Sequence, residues 1–156
     1  MTVSKDLDLS VETLKNDLAG AASKLGVKVT TKAEQHATAS ARVSTTRTHH
    51  LVLAKVTPVR ARFVKQGWAE LAKKLFVKEV EVGEKAFDDA VYIATDTEDA
   101  VRTLLGAARV RAALVALAAK DCIVDIGSEE LTITHPDAYG EPDDELAEAL
   151  ALAAHL

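Results

Sequence analysis

Hydrophobic residues near the start of the chain recur at the spacing of an α-helix. They form one stripe made of Val11, Leu14, Leu18, Ala21, Ala22 and Leu25. Ser10 precedes the stripe as a candidate N-cap, and Gly26 follows it, where a glycine commonly ends a helix. The pattern predicts a leading helix within residues 1–26.

Alternation of apolar and polar residues replaces the helical spacing after residue 26. In HATASARVS, one face would carry Ala37, Ala39, Ala41 and Val43, and the other His36, Thr38, Ser40 and Arg42. A polar turn is predicted at residues 44–47, followed by a strand in THHLVLAKV. Pro58 interrupts the pairing before a further strand in VRARFV. These segments predict an antiparallel meander of three or four strands.

The rest of the chain mixes helices and strands. GWAELAKKLF predicts a short helix, and DDAVYIATD a strand that ends at Asp96, placed to cap the helix that begins TEDAV. Gly106 divides that helix from ARVRAALVALAAK. CIVDIG and SEELTIT predict a hairpin that turns at Gly127 and Ser128, and DELAEALALAAHL a closing helix. We therefore predict one α+β domain over 1–156, an antiparallel sheet (the meander plus a C-terminal hairpin) packed against several helices, with an acidic loop and closing helix at 135–156.

Composition is that of an ordinary globular protein. Of its 156 residues, 48% are hydrophobic and 28% are charged, which suits one domain with a sizeable core. The N-terminal sequence has no apolar run of signal-peptide length, and no stretch approaches the roughly 20 apolar residues of a membrane span. We expect a cytoplasmic protein without a membrane partner. The single cysteine, Cys122, lies in an apparent buried strand and is interpreted as core packing.

Charge is distributed unevenly along the chain. Residues 1–78 contain 14 Lys or Arg and 6 Asp or Glu, whereas residues 79–156 contain 5 and 18. Such asymmetry predicts a basic face for a polyanion, an acidic face for a partner, or two halves that pair within one fold or across an oligomer.

Two adjacent aspartates in VGEKAFDDA suggest chemistry at first sight. Neighbours in an extended chain point to opposite sides, so Asp88 and Asp89 are not expected to form an acid–base pair. We interpret Gly83, Phe87 and Asp88 as residues that structure a loop, with Phe87 in the core and Asp88 bound to backbone N–H groups. A metal-binding or catalytic role for this loop, with oxygen ligands from Asp96 or the acidic loop, stays open as an alternative.

Motifs of nucleotide-binding, hydrolase and zinc-enzyme families are missing from the sequence. His49 and His50 would face opposite sides of a strand, and a zinc site would need His36 across the hairpin from one of them. We predict no catalytic residue, no metal and no cofactor, so an enzymatic activity is unsupported.

Basic residues on neighbouring predicted strands are the best hint of a ligand site. They are Arg42, Arg47, Arg60 and Arg62, accompanied by Lys55 and Lys65. An open sheet face with these residues would attract phosphates, although the exposed aromatic rings of single-strand nucleic-acid platforms are missing. Small-ligand or polyanion binding by strands within 42–65 is therefore the alternative function, with nucleic acid the less favoured ligand.

Residues 58–134 carry a partial signature. A V-G-x-x-x-F-D run at Val82, Gly83, Phe87 and Asp88 precedes a strand that ends at Asp96, and Leu104, Leu105, Val110, Arg111 and Leu114 follow on helices. In this order the chain resembles uncharacterised bacterial proteins grouped under domains of unknown function. The resemblance implies a style of fold and no activity. We therefore expect a noncatalytic protein-interaction or structural module that forms a homo-oligomer or binds a protein partner.

Overall fold

A computed structural model describes residues 8–37, 39, 42–73 and 78–156. The helices within these ranges are α1 Val11–Asn16, α2 Leu18–Leu25, α3 Ala69–Lys73, α4 Lys85–Ala90, α5 Glu98–Leu104, α6 Ala108–Ala119 and α7 Pro142–Ala153. The strands are β1 Lys28–Ala37, β2 Val43–Val52, β3 Ala61–Lys65, β4 Lys78–Glu79, β5 Val91–Thr95, β6 Ile123–Ile126 and β7 Glu130–His135.

The described strands form one antiparallel sheet in the order β1-β2-β7-β6-β3-β5-β4. This arrangement confirms the predicted α+β class. The predicted meander is wrong, because the β6–β7 hairpin lies between β2 and β3. Each strand of that hairpin pairs on its outer side with another strand. Leu131 of β7 lies opposite Leu51 of β2, and Val124 of β6 lies opposite Phe63 of β3. Local alternation predicts strands but does not show which of them pair.

The β1–β2 hairpin is longer than the sequence pattern predicts. Its ladder runs from Lys28 opposite Val52 to Ala37 opposite Val43, so the turn predicted at residues 44–47 is wrong and these residues belong to β2. The β-branched residues Thr45 and Thr46 favour an extended backbone here. The chain reverses after residue 37, where residues 38, 40 and 41 lie outside the described part. Residue 39 lies in a turn, so of the predicted strand face Ala37 belongs to β1 and Val43 to β2, while residue 41 lies outside the described part.

Three helix starts differ from the prediction. The leading helix is divided, because the Asp17 side chain accepts a hydrogen bond from the Gly20 backbone N–H at 2.9 Å and starts α2. The segment KAFDDA is helical, so the predicted strand begins only at Val91. The N-cap residue of α5 is Thr97, and the Asp96 cap is therefore wrong.

Helices cover the central strands on both faces. On one face α6 and α7 pack over a core that includes Phe63, Ile93 and Leu117, each at most 1% exposed. On the opposite face α3 packs beside Val64 and Tyr92. Burial of each large apolar side chain contributes roughly 1.5–3 kcal/mol to folding. The described helices include none with the length and apolar character needed to cross a membrane.

Candidate functional site

A carboxylate is buried where α7 crosses the sheet. Glu145, in the first turn of α7, is fully buried, and strands β2 and β7 present Arg47, His49 and His135 to it. Arg47 lies directly opposite His135 in the β2–β7 ladder, and His49 lies two residues further along on the same face. We call Glu145, Arg47, His49 and His135 the Glu145 cluster.

Four donors surround the Glu145 carboxylate. Oε1 accepts from Arg47 Nε at 2.9 Å and lies 2.8 Å from His49 Nε2. Oε2 accepts from Arg47 Nη2 and lies 2.8 Å from His135 Nδ1. Behind His49, the Thr31 hydroxyl lies 2.8 Å from Nδ1. All four lone-pair directions of the carboxylate are therefore occupied.

These contacts keep the carboxylate ionised inside the protein. Burial by itself raises the pKa of Glu145, but hydrogen bonds from His49, Arg47 and His135 outweigh it and lower the pKa to about 2. The bidentate contact with Glu145 likewise raises the pKa of Arg47. The cluster is thus a charge pair held between two histidines, and it fastens the start of α7 to the sheet.

Cys122 lies beside this cluster, directly before β6. Ile123 is opposite Thr134, which places Cys122 next to His135 across the strands. The Cys122 sulfur, a ring nitrogen of His135 and a Glu145 carboxylate oxygen lie within 4.8 Å of one another. Burial, followed by the nearby Glu145 charge, raises the pKa of the Cys122 thiol to about 12, so it is no nucleophile at neutral pH.

His135 has an unused nitrogen. Its Nδ1 faces the ionised carboxylate and carries the proton, and its Nε2 has no hydrogen-bond partner among the described residues. The ring is fully buried, with the edge of Tyr139 4.7 Å away between centroids. A buried lone pair without a donor is uncommon in folded proteins.

The four arginines predicted to bind a polyanion occupy different settings. Arg47 is bound to Glu145, and Arg62 makes a bidentate contact with Asp125 at 2.6 and 2.9 Å. Arg42 lies 2.6 Å from Asp137 on the surface. Arg60 is exposed, and its backbone N–H donates to Thr97 Oγ1. Three of the four cations therefore contact a carboxylate.

The uneven charge of the two halves is partly balanced by ion pairs within the fold. Ion pairs that join a cation of residues 1–78 to an acid of residues 79–156 are Lys15–Asp144, Arg42–Asp137, Arg47–Glu145, Arg62–Asp125 and Lys65–Asp121. The asymmetry alone therefore does not require a polyanion or an acidic partner.

The residues predicted to structure a loop surround the start of α4. The Asp88 carboxylate accepts hydrogen bonds from the backbone N–H groups of Val82 and Gly83, each at 2.9 Å, and Gly83 has a φ of +94°. Phe87 is 1% exposed in the core. Asp89 points elsewhere and pairs with Lys85 on the surface, so the two aspartates do not share a site.

The histidine pair considered for zinc does not form. His36 lies opposite Ser44 in the β1–β2 ladder, several residues from both His49 and His50. At about 3.4 Å per residue this places the rings too far apart for one ion. His49 instead contacts Glu145, and His50 lies 2.6 Å from Glu130 on the other face.

Strand β1 presents the longest uncovered edge in the described part of the chain. It is the terminal strand of the sheet, and nine of its ten residues are exposed. Within the described ranges no strand pairs with its outer side, so its outward N–H and C=O groups can accept another strand. We call residues 29–37 of this side the β1 edge.

Comparison of the chain with protein-family models, with curated proteins and with solved structures finds no match.

Sequence reasoning missed the Glu145 cluster although signals for it exist. His49 lies two residues before the buried Leu51, and His135 lies two residues after the buried Ile133. Because alternate residues of a strand point to the same face, both histidines lie on the inner face. In α7, Glu145 lies at helical spacing with Ala149. A charged residue on an inward stripe opposite inward histidines indicates a buried polar cluster.

Proposed function

We propose that this protein is a noncatalytic interaction module that self-associates through the β1 edge. The observation that carries the proposal is a ten-residue terminal strand that is exposed almost throughout. A sheet edge of this length is a template for strand addition. The hairpin end also exposes Val43, whose side chain is 62% accessible.

The sequence of β1 is complementary to itself in one antiparallel register. With Ala33 of two copies opposite each other on a twofold axis, Lys32 of each copy faces Glu34 of the other. In the same register Val29 faces Ala37, Thr30 faces His36 and Thr31 faces Gln35. Opposite charges meet on the solvent side. On the helix side Ala33 meets Ala33 and Val29 meets Ala37, with the polar Thr31 and Gln35 paired between them.

Neighbouring registers that keep the same faces together are poorer. Centring the axis on Lys32 places two ammonium groups directly opposite each other, which is destabilising. Centring it on Thr31 pairs Lys28 with Glu34 but shortens the ladder to residues 28–34. The Ala33 register aligns nine residues and forms about eight to ten backbone hydrogen bonds, similar to a standard protein interface.

The alternative, polyanion binding through the basic strands, has less support. Arg47 is half-buried and paired with Glu145, and Arg62 is paired with Asp125, so both cations are already neutralised. The self-association proposal needs neither of them. It retains the expected cytoplasmic location and a partner that is a second copy of the same chain.

Charge reversal tests the register. Lys32→Glu converts both Lys–Glu contacts into Glu–Glu contacts, and Glu34→Lys converts them into Lys–Lys contacts. Since each cross-strand pair contributes roughly 0.2–1 kcal/mol, we expect each variant to raise the dimer dissociation constant about tenfold in sedimentation equilibrium. An equimolar mixture of the two variants should form a heterodimer, because every facing pair is again opposite in charge.

Lys28→Glu is the matched control. It reverses the same type of charge on the same face of the same strand but does not face Glu34 in the Ala33 register. This control should dimerise like the wild type. Dimers that are unaffected by both charge reversals, or a mixture that fails to restore association, would contradict the proposal.

A further inference from the structure

We propose that Cys122 and His135 form a binding site for one thiophilic monovalent cation, Cu⁺ in particular. The site is independent of the β1 edge and of self-association. Both residues are fully buried; Cys122 directly precedes β6, and His135 ends β7, whose Thr134 lies opposite Ile123. Their ligand atoms, a thiol sulfur and an imidazole nitrogen, are soft or intermediate donors that suit copper.

Glu145 sets the tautomer of His135 that metal binding requires. By accepting a hydrogen bond from Nδ1–H at 2.8 Å it fixes the tautomer that leaves the Nε2 lone pair free, as carboxylates do behind metal-binding histidines. Nε2 is the buried side-chain polar atom that lacks a partner in the described part of the chain. A ligand on Nε2 would satisfy it without disturbing the cluster.

The number of available ligands favours a two-coordinate ion. Glu145 already accepts from four donors. This leaves His135 Nε2 and the Cys122 sulfur, whose thiol makes a weak 4.0 Å contact with the Lys120 carbonyl, as the available ligands. The Cys122 sulfur lies within 4.8 Å of a His135 ring nitrogen, and an ion that bridges the sulfur and Nε2 with bonds of about 2.3 and 2.1 Å requires these two atoms about 4.4 Å apart. Cu⁺ accepts a nearly linear pair of ligands, whereas Zn²⁺ requires four.

The charge balance points to a monovalent ion as well. Arg47 and Glu145 neutralise each other, and a Cys122 thiolate would add one buried negative charge. One Cu⁺ cancels that charge, whereas a divalent ion would leave a net positive charge in the core. On binding, the sulfur–copper bond replaces the S–H bond, the thiol proton leaves to solvent, and copper keeps its oxidation state.

Copper uptake by the purified full-length chain tests the site. The reduced protein is loaded with Cu⁺, treated with a Cu⁺ chelator and analysed for copper. We expect one equivalent per chain to be retained, with near-ultraviolet thiolate-to-copper absorption that belongs to Cys122, the single cysteine. Cys122→Ser should lose at least nine tenths of the bound copper, whereas His155→Gln should keep it.

His135→Gln should also lose the copper, provided that circular dichroism shows a folded chain. X-ray absorption of the loaded wild type gives the same information without a variant and should show one sulfur and one nitrogen ligand. Absence of chelator-resistant copper, or full retention by Cys122→Ser, would overturn the proposal. Retention of Zn²⁺ with no Cu⁺ would overturn the assignment to a monovalent ion.

Discussion

The two ends of the sheet bury their inner faces in different ways. One row across the sheet contains Val124, Phe63 and Ile93, all buried beneath helices. Toward the β1 edge of the sheet the same row contains His49 and Thr31. Here the inner face is covered by a polar contact, between His49 and the carboxylate of Glu145. Further along the hairpin, β1 is exposed at every residue from Thr30 to Ala37, whereas residues 44–47 of β2 are half-buried.

We call the part of the sheet around Val124, Phe63 and Ile93 the apolar end and the part around the Glu145 cluster the polar end. The contrast between them separates residues that stabilise the fold from residues that are available for recognition. The apolar end tolerates no change of volume without cost, because close packing leaves little space to relax. The polar end is specified by hydrogen bonds that must all be present together. The exposed strand β1 contributes no fully buried side chain, so its sequence is free to serve an interface.

Removal of the carboxylate should give the largest effect at the polar end. Glu145→Gln leaves the Arg47 charge buried without its partner, and we expect the free energy of unfolding in urea to fall by about 3–5 kcal/mol. Glu130→Gln, which affects an exposed pair with His50, is the control and should change it by no more than about 0.5 kcal/mol. A small loss in Glu145→Gln would show that the cluster does not hold α7 in place.

Acid should weaken the same end selectively. The folded-state pKa of Glu145, about 2, lies below its ordinary value of 4.5, so its contribution is present above pH 4.5 and disappears as the pH falls toward 2. The shift corresponds to about 3 kcal/mol. Urea unfolding from pH 6 to pH 2 should show this decrease, and in Glu145→Gln the slope should flatten. An unchanged slope in the variant would place the acid sensitivity elsewhere.

An intermediate effect is expected beside α4, at the apolar end. Asp88→Ala removes the acceptor of two backbone N–H groups, and we expect a loss of about 1–2 kcal/mol with self-association unchanged. Asp89→Ala, its exposed neighbour, should cost no more than about 0.5 kcal/mol. Thermal unfolding and sedimentation of both variants measure this. Loss of association without a lower melting temperature would assign Asp88 a binding role.

The hairpin should show the smallest effect on monomer stability. Lys32→Glu changes an exposed side chain, so at a concentration where the chain is monomeric we expect a change within about 0.5 kcal/mol. Urea unfolding at low protein concentration gives this value. A larger loss would show that Lys32 acts within the monomer and would remove the basis for the charge-reversal test.

The sequence predicts the helices and strands better than it predicts which strands pair with each other. The periodicity of residues 108–119 and of the β6–β7 hairpin is local, and both elements were predicted. The place of that hairpin between β2 and β3 depends on contacts distant in sequence, which alternation does not reveal. The extension of β2 through Thr45 and Thr46 was missed because polar residues there resemble a turn.

The candidate sites divide in the same way. Asp88 beside Gly83 is a local arrangement, and its backbone contacts follow from turn chemistry. The Glu145 cluster joins residues 98 positions apart, Arg47 and Glu145, so no short motif contains it. The count of charged residues alone predicts a basic face, whereas the structure pairs Arg47 with the buried carboxylate of Glu145.

Amide hydrogen exchange along β1 tests self-association most directly. Alternate amides of β1 face β2 and are bonded in the monomer, while the others face outward. The proposal predicts that the outward amides of residues 29–37 become protected as protein concentration rises, giving protection at every residue of the strand. Outward amides that exchange freely at concentrations where sedimentation detects a dimer would contradict it, because the interface would then lie elsewhere.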